Sequence, residues 1–136
     1  MIQHAPRRTA ALLALALALL AGCADSNPVG TVSGEVTLDN QPLTKGEIRF
    51  VPADGKSSGV SAAITDGKYS VTVPVGEARV EITAVKSAGK QQMYPGAPEV
   101  EKFEPIPLPD RYNVRSELKM TVGKGNQEKN FPLTSK

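Results

Sequence analysis

From Thr31 onward the dominant signal is alternation of apolar and polar residues with a period of two, and no stretch shows sustained helical spacing. A strand sends successive side chains to opposite faces, so this pattern reads as strands wet on one side. In TVSGEVTL, Val32, Val36 and Leu38 oppose Thr31, Ser33, Glu35 and Thr37. EIRF sets Ile48 and Phe50 against Glu47 and Arg49. VSAAIT sets Val60, Ala62 and Ile64 against Ser61 and Thr65, and KYSVTV sets Tyr69, Val71 and Val73 against Lys68, Ser70 and Thr72. EARVEITA carries Ala78, Val80, Ile82 and Ala84 on one face. ELKMTV carries Leu118, Met120 and Val122, and NFPLT carries Phe131 and Leu133. Seven strands are therefore expected.

The turn chemistry agrees. Asp66-Gly67 is a two-residue hairpin signal, because glycine accepts the positive φ that a type I′ turn needs. Asp39-Asn40 and Asp54-Gly55 mark further reversals. Pro52 and Pro74 end strands for want of an N–H, and Pro132 puts the last strand at an edge or a bulge. Gly76 offers a left-handed position, and Gly123 to Asn126 joins the last two strands. Strands with one wet face must bury the other, and two facing sheets do so economically. The expected fold is an all-β, seven-stranded β-sandwich over residues 31–136. The mature part has no cysteine pair and the chain no tryptophan, which excludes an antibody-type core.

The front end has a different grammar. Arg7 and Arg8 precede a run from Thr9 to Ala21 that is almost wholly Ala and Leu. Basic flank, apolar run and small residues form the pattern of a secretory signal. A helix of about 13 residues covers about 20 Å, short of a hydrocarbon core of about 30 Å, so a permanent span is not expected. The paired arginines alone do not make a twin-arginine signal. Leu20-Ala21-Gly22-Cys23 then resembles the lipobox of bacterial lipoproteins. That resemblance implies a signal peptide at 1–22, cleavage before Cys23, and acyl chains on Cys23. The alternative is an ordinary signal with a stray cysteine. Cys23 is the only cysteine, and lipidation would remove an otherwise unpaired, oxidisable thiol. Residues 23–30, CADSNPVG, read as the lipidated residue and a short tether. Ala24 after the cysteine resembles the sorting signal for the outer membrane. The expected location is a membrane surface of the cell envelope, with acyl chains as the attachment.

Several function classes drop out on composition. The chain has 16 basic and 14 acidic side chains. Without Arg7 and Arg8 the remainder holds 14 of each, leaving no basic excess for nucleic acid. The only histidine is His4, inside the expected signal. The mature chain thus lacks the imidazole for Ser-His or Cys-His catalysis and for histidine-ligated zinc. No cofactor, metal or enzymatic activity is expected. Glu99, Glu101 and Glu104 read as a solvated acidic loop. Asp39, Asp54, Asp66 and Asn126 follow no calcium-loop spacing, and turns account for them.

Val32 to Pro52, VSGEVTLDNQPLTKGEIRFVP, resembles the opening of carboxypeptidase regulatory-like, transthyretin-like domains. Ser61 to Ile82 matches the turn, strand, Pro-x-Gly, strand pattern of that family, and PDRYNVRSELKMTV is similar to the end of small envelope lipoproteins of this type. The resemblance implies a fold, an immunoglobulin-like or transthyretin-like sandwich, rather than an activity, since this architecture carries many functions. One stretch stands apart. Residues 87–113 show no clear strand pattern and hold five prolines. Two readings are open. In one, Met93, Tyr94, Arg111 and Tyr112 form a binding loop for an envelope protein, a glycan or a small ligand. In the other the segment is a crossover, with Tyr94 and Tyr112 as lids over the core. The favoured function is a non-catalytic, lipid-anchored structural or interaction module, with the ligand-binding module as the alternative.

Overall fold

The structure is a computed structural model that describes residues 27–136; the signal, lipobox and Cys23 lie outside the described residues. It contains β1 (Val29–Leu38), β2 (Gln41–Pro42), β3 (Lys45–Pro52), β4 (Val60–Thr65), β5 (Lys68–Pro74), β6 (Gly76–Gln91), β7 (Val100–Ile106), β8 (Lys119–Val122), β9 (Gly125–Glu128) and β10 (Phe131–Leu133). A single 3-10 turn, Asp110–Tyr112, lies between β7 and β8.

One hydrogen-bonded ladder runs β10-β1-β5-β4-β3-β6-β7. It curls over where β4 and β5 share only the register pair Thr65↔Lys68. One layer is then β4, β3 and β6, with β8 and β7 along the far side of β6. The other is β5 and β1, with β9 and β10 along the far side of β1. The result is an all-β sandwich. The seven expected strands are present, and β2, β7 and β9 are added to them.

The alternation decides what lies between the layers. Val32 and Val36 from β1, Ile48 and Phe50 from β3, and Ile64 from β4 are buried. So are Val71 and Val73 from β5, Val80 and Ile82 from β6, and Phe131 and Leu133 from β10. Tyr69 stands between Phe50 and Phe131, with ring centroids 6.3 and 6.1 Å away. Such tilted contacts add about 0.5–1.5 kcal/mol each to the burial itself. The Tyr69 hydroxyl donates to Lys129 O at 2.6 Å, tying the end of β9 to the core.

The turn residues behave as their chemistry requires. Asp39 and Asn40 (φ 50° and 66°) close the β1–β2 hairpin, and Asp66 and Gly67 (φ 49° and 80°) close β4–β5, as type I′ turns demand. Pro52 and Pro74 end β3 and β5, and Pro132 lies exposed on edge strand β10.

Two expectations need correction. Residues 87–113 were expected to be strand-free, yet β6 continues to Gln91 and returns as β7 from Val100. Glu101 and Glu104 therefore lie on a strand rather than in a loop. The signal was masked by the prolines and by charges on both faces of VEKFEPI, because this ribbon leaves the sandwich and has little core to alternate against. Gly125 and Asn126 also belong to β9, which runs parallel to β1, rather than to a connecting loop. Parallel pairing between strands far apart in sequence leaves no local mark.

Candidate functional site

β3 ends its pairing with β6 at Lys45↔Val85. Beyond it, β6 and β7 form a two-stranded arm paired Lys86↔Glu104, Ser87↔Phe103, Lys90↔Glu101 and Gln91↔Val100. A register shift between Ser87 and Lys90 bends the ribbon. The base is pinned where Lys45 Nζ lies 3.8 Å from the centroid of the Phe103 ring. Along the arm, Lys90–Glu99 (3.8 Å) and Lys102–Glu104 (3.5 Å) are exposed ion pairs, each contributing at most about 1 kcal/mol.

The tip has a defined geometry. Ala97 N donates to Tyr94 O at 3.0 Å across Pro95-Gly96, and Gly96 has φ 91°. Proline first and a positive-φ glycine second is the pattern of a type II turn. Gln92 Nε2 also donates to Ala97 O at 3.1 Å, and Ala97 is buried beneath the turn. Met93 and Tyr94 project outward, 80% and 66% exposed. The arm thus holds a small apolar and aromatic pair on a preformed turn.

Arg111 and Tyr112 lie elsewhere. The segment that carries them leaves β7 beside Ala84 and rejoins β6 at Val80, where Leu118 O accepts from Val80 N and Ser116 Oγ donates to Val80 O. Six residues of strand separate Val85 from Gln91, about 20 Å at strand rise. The structure therefore does not bring Met93 and Tyr94 together with Arg111 and Tyr112. Tyr112 is buried and packs with the core, as the crossover reading expects, whereas Tyr94 is not a lid. Thr134 N donates to Tyr112 Oη at 3.1 Å. Arg111 stacks on the Tyr112 ring, 4.7 Å from its centroid, and donates to Thr134 Oγ1 at 3.0 Å and to Lys136 O. The hydrogen bond to Thr134 lowers the Tyr112 hydroxyl pKa, with Arg111 acting in the same direction. This cluster straps the C-terminal tail to the fold.

The same tail meets the β1–β2 turn. Ser135 N donates to Asp39 Oδ1 at 3.0 Å, and hydrogen bonding from Ser135 lowers the Asp39 carboxyl pKa. Among the described residues, no three acidic, histidine or cysteine side chains converge as a metal site would require. A shallow groove of about 200 Å³ lies along β6 and β8, lined by Ala53, Glu77, Arg79, Lys119 and Met120. Arg79 there is paired with Glu81 at 2.7 Å.

The sequence matches no known family and no curated protein. Two solved structures show a distant likeness, each at 19% identity. One is a DUF3823 family protein from Parabacteroides merdae, with a TM-score of 0.42 over 79% of this chain. This chain covers 47% of that one, about half its length. The other is the dioxygenase domain of a dioxygenase and carbohydrate-binding protein fusion from Streptomyces sp. SirexAA-E, with a TM-score of 0.39. It matches over 82% of this chain and 84% of that one. Neither likeness is close enough to transfer a function.

Proposed function

We propose that this protein is a non-catalytic β-sandwich held on a cell-envelope membrane by acyl chains on Cys23. One observation carries the reading. Leu20-Ala21-Gly22-Cys23 closes an uncharged apolar run that starts at Thr9, and the first strand of the sandwich begins only six residues after Cys23, at Val29. A lipid-bearing cysteine, a short tether and a folded domain follow one another with nothing between. The chemistry of the domain agrees with a non-enzymatic role, since 27–136 contain neither histidine nor cysteine. Ala24 favours the outer membrane.

The test is mass spectrometry of the full chain expressed in a lipoprotein-processing bacterium. The expected product begins at Cys23 and carries diacylglyceryl or triacyl mass on that residue. A free Cys23 thiol on the mature chain, or an uncleaved precursor in the cytosol, refutes the anchor.

A second reading, a ligand-binding module, is favoured by one feature, the exposed Met93 and Tyr94 on a preformed turn. Aromatic faces are the usual platform for sugars and for protein partners alike. A glycan array and membrane crosslinking, each repeated with Tyr94→Ala, separate the two. Loss of a captured glycan with the variant supports the binding module. Unchanged capture moves the contact elsewhere on the surface.

A further inference from the structure

The ladder registers give the sandwich two distinct ends. Val29 pairs with Pro74, Gly30 with Gly125, Gly76 with Val122, and Pro52 with Ala78. The start of β1, the ends of β3, β5 and β8, and the starts of β6 and β9 therefore share one end. At the opposite end lie the Asp39-Asn40 and Asp66-Gly67 turns, and the β6–β7 arm runs on past them.

The first end carries two exposed valines, Val29 at 51% and Val75 at 37%. They are held together, because Val75 N donates to Pro28 O at 2.8 Å. The same end carries exposed Ala53, Lys56 and Lys124 and the carboxylates of Asp54 and Glu77, with Asp54 accepting from the backbone N–H groups of Lys56 and Ser57. A pair of exposed apolar side chains among lysines and carboxylates suits the boundary between acyl chains and zwitterionic headgroups.

We propose that this end rests on the bilayer as a phospholipid-contacting face, with the arm directed away from the membrane. The inference deepens the lipid-anchor reading and rests on it. Val29 lies six residues beyond Cys23 and can reach at most about 22 Å from it, so it is confined near the lipid surface. Gln91 lies fifteen residues beyond Gly76 on the same strand, up to about 50 Å away at strand rise, the bend between Ser87 and Lys90 shortening that span. The tether is too short to let the domain invert and bring Met93 and Tyr94 to the membrane. The exposed valines favour an upright stance over a domain lying on its polar sheet faces. The arm's apolar tip is then held clear of the bilayer, where a protein or glycan can meet it.

The experiment uses the full acylated chain in vesicles of phosphatidylethanolamine and phosphatidylglycerol. Lys124→Cys and Met93→Cys each receive an environment-sensitive fluorophore, the acylated sulfur of Cys23 being unreactive. The label at 124 should shift to the blue and be quenched by a lipid-phase nitroxide. The label at 93 should be quenched only by aqueous iodide. Adding Val29→Ser and Val75→Ser should abolish lipid-phase quenching at 124 while the protein still floats with the vesicles. Flotation with equal lipid-phase quenching at both positions, or stronger quenching at 93, overturns the orientation and leaves the anchor standing. Unacylated Cys23 with no flotation removes the anchor, and the orientation with it.

Discussion

Tyr69 shows how much one side chain carries in a core with few aromatics. Its ring fills the space between Phe50 and Phe131, and its hydroxyl satisfies Lys129 O. Tyr69→Phe should keep the packing and cost about 1 kcal/mol for the lost hydrogen bond, read by urea unfolding. Burial also raises the Tyr69 pKa above the ordinary 10.0. Near pH 10 the unfolded tyrosine releases its proton while the folded one retains it, so the unfolded state gains. The contribution is complete below pH 10 and is lost as pH rises toward the raised value. Tyr112 acts in the opposite sense, so the comparison must be with Tyr69→Phe itself. That variant should lose stability less steeply above pH 10, and an equally steep loss counts against the assignment. Gly34 makes a different point. A Cβ there would press into the Lys129 carbonyl, where β1 and the chain after β9 run close. Gly34→Ala should cost about 1–3 kcal/mol, visible as a lowered urea midpoint. The packing role of Tyr112 was one of the two readings that its sequence left open. The close approach at Gly34 was not legible, because the atoms it meets are ninety-five residues away in sequence.

The β6–β7 arm is the element with least to hold it. Every residue of β6 after Val85 is exposed, and β7 buries only parts of Phe103 and Ile106. A lone two-stranded ribbon is marginal in water, so it adds little to the stability of the sandwich. Replacing residues 88–102 with Asn-Gly would close Ser87 onto Phe103 by a two-residue turn. The fold should survive with a change below about 1 kcal/mol in chemical unfolding. Any capture of partners that depends on Met93 and Tyr94 should vanish with the arm. A large loss of stability would instead make the arm part of the core. Exposed lysines and Pro105 on the ribbon discourage edge-to-edge pairing, which suits an element that is open on both sides. The strands packed in the sandwich were readable from their alternation. The arm was not, because a ribbon solvated on both faces writes no hydrophobic period into its sequence.

For the whole molecule, the proposed roles divide along the long axis, with attachment at one end, a packed sandwich in the middle and an exposed tip at the other. If anchor and fold are independent, the Cys23→Ser chain should leave the membrane fraction yet unfold cooperatively. Its Tm should stay within about 2 °C of that of the acylated protein in detergent. A Cys23→Ser chain that aggregates or melts without cooperativity would tie the fold to the lipid. The sequence by itself determined the strand class, the inward-facing residues, the hairpin turns and the absence of histidine and cysteine from 27–136. These follow from side-chain period, backbone φ preference and composition, all of which act locally. Only the tertiary structure decided that β9 and β10 run parallel to β1, and that Arg111 and Tyr112 strap the C-terminus. It alone set Met93 and Tyr94 at the tip of the β6–β7 arm, apart from that strap. Those relations depend on which distant segments meet across the core, and contacts between distant segments leave no period in the chain.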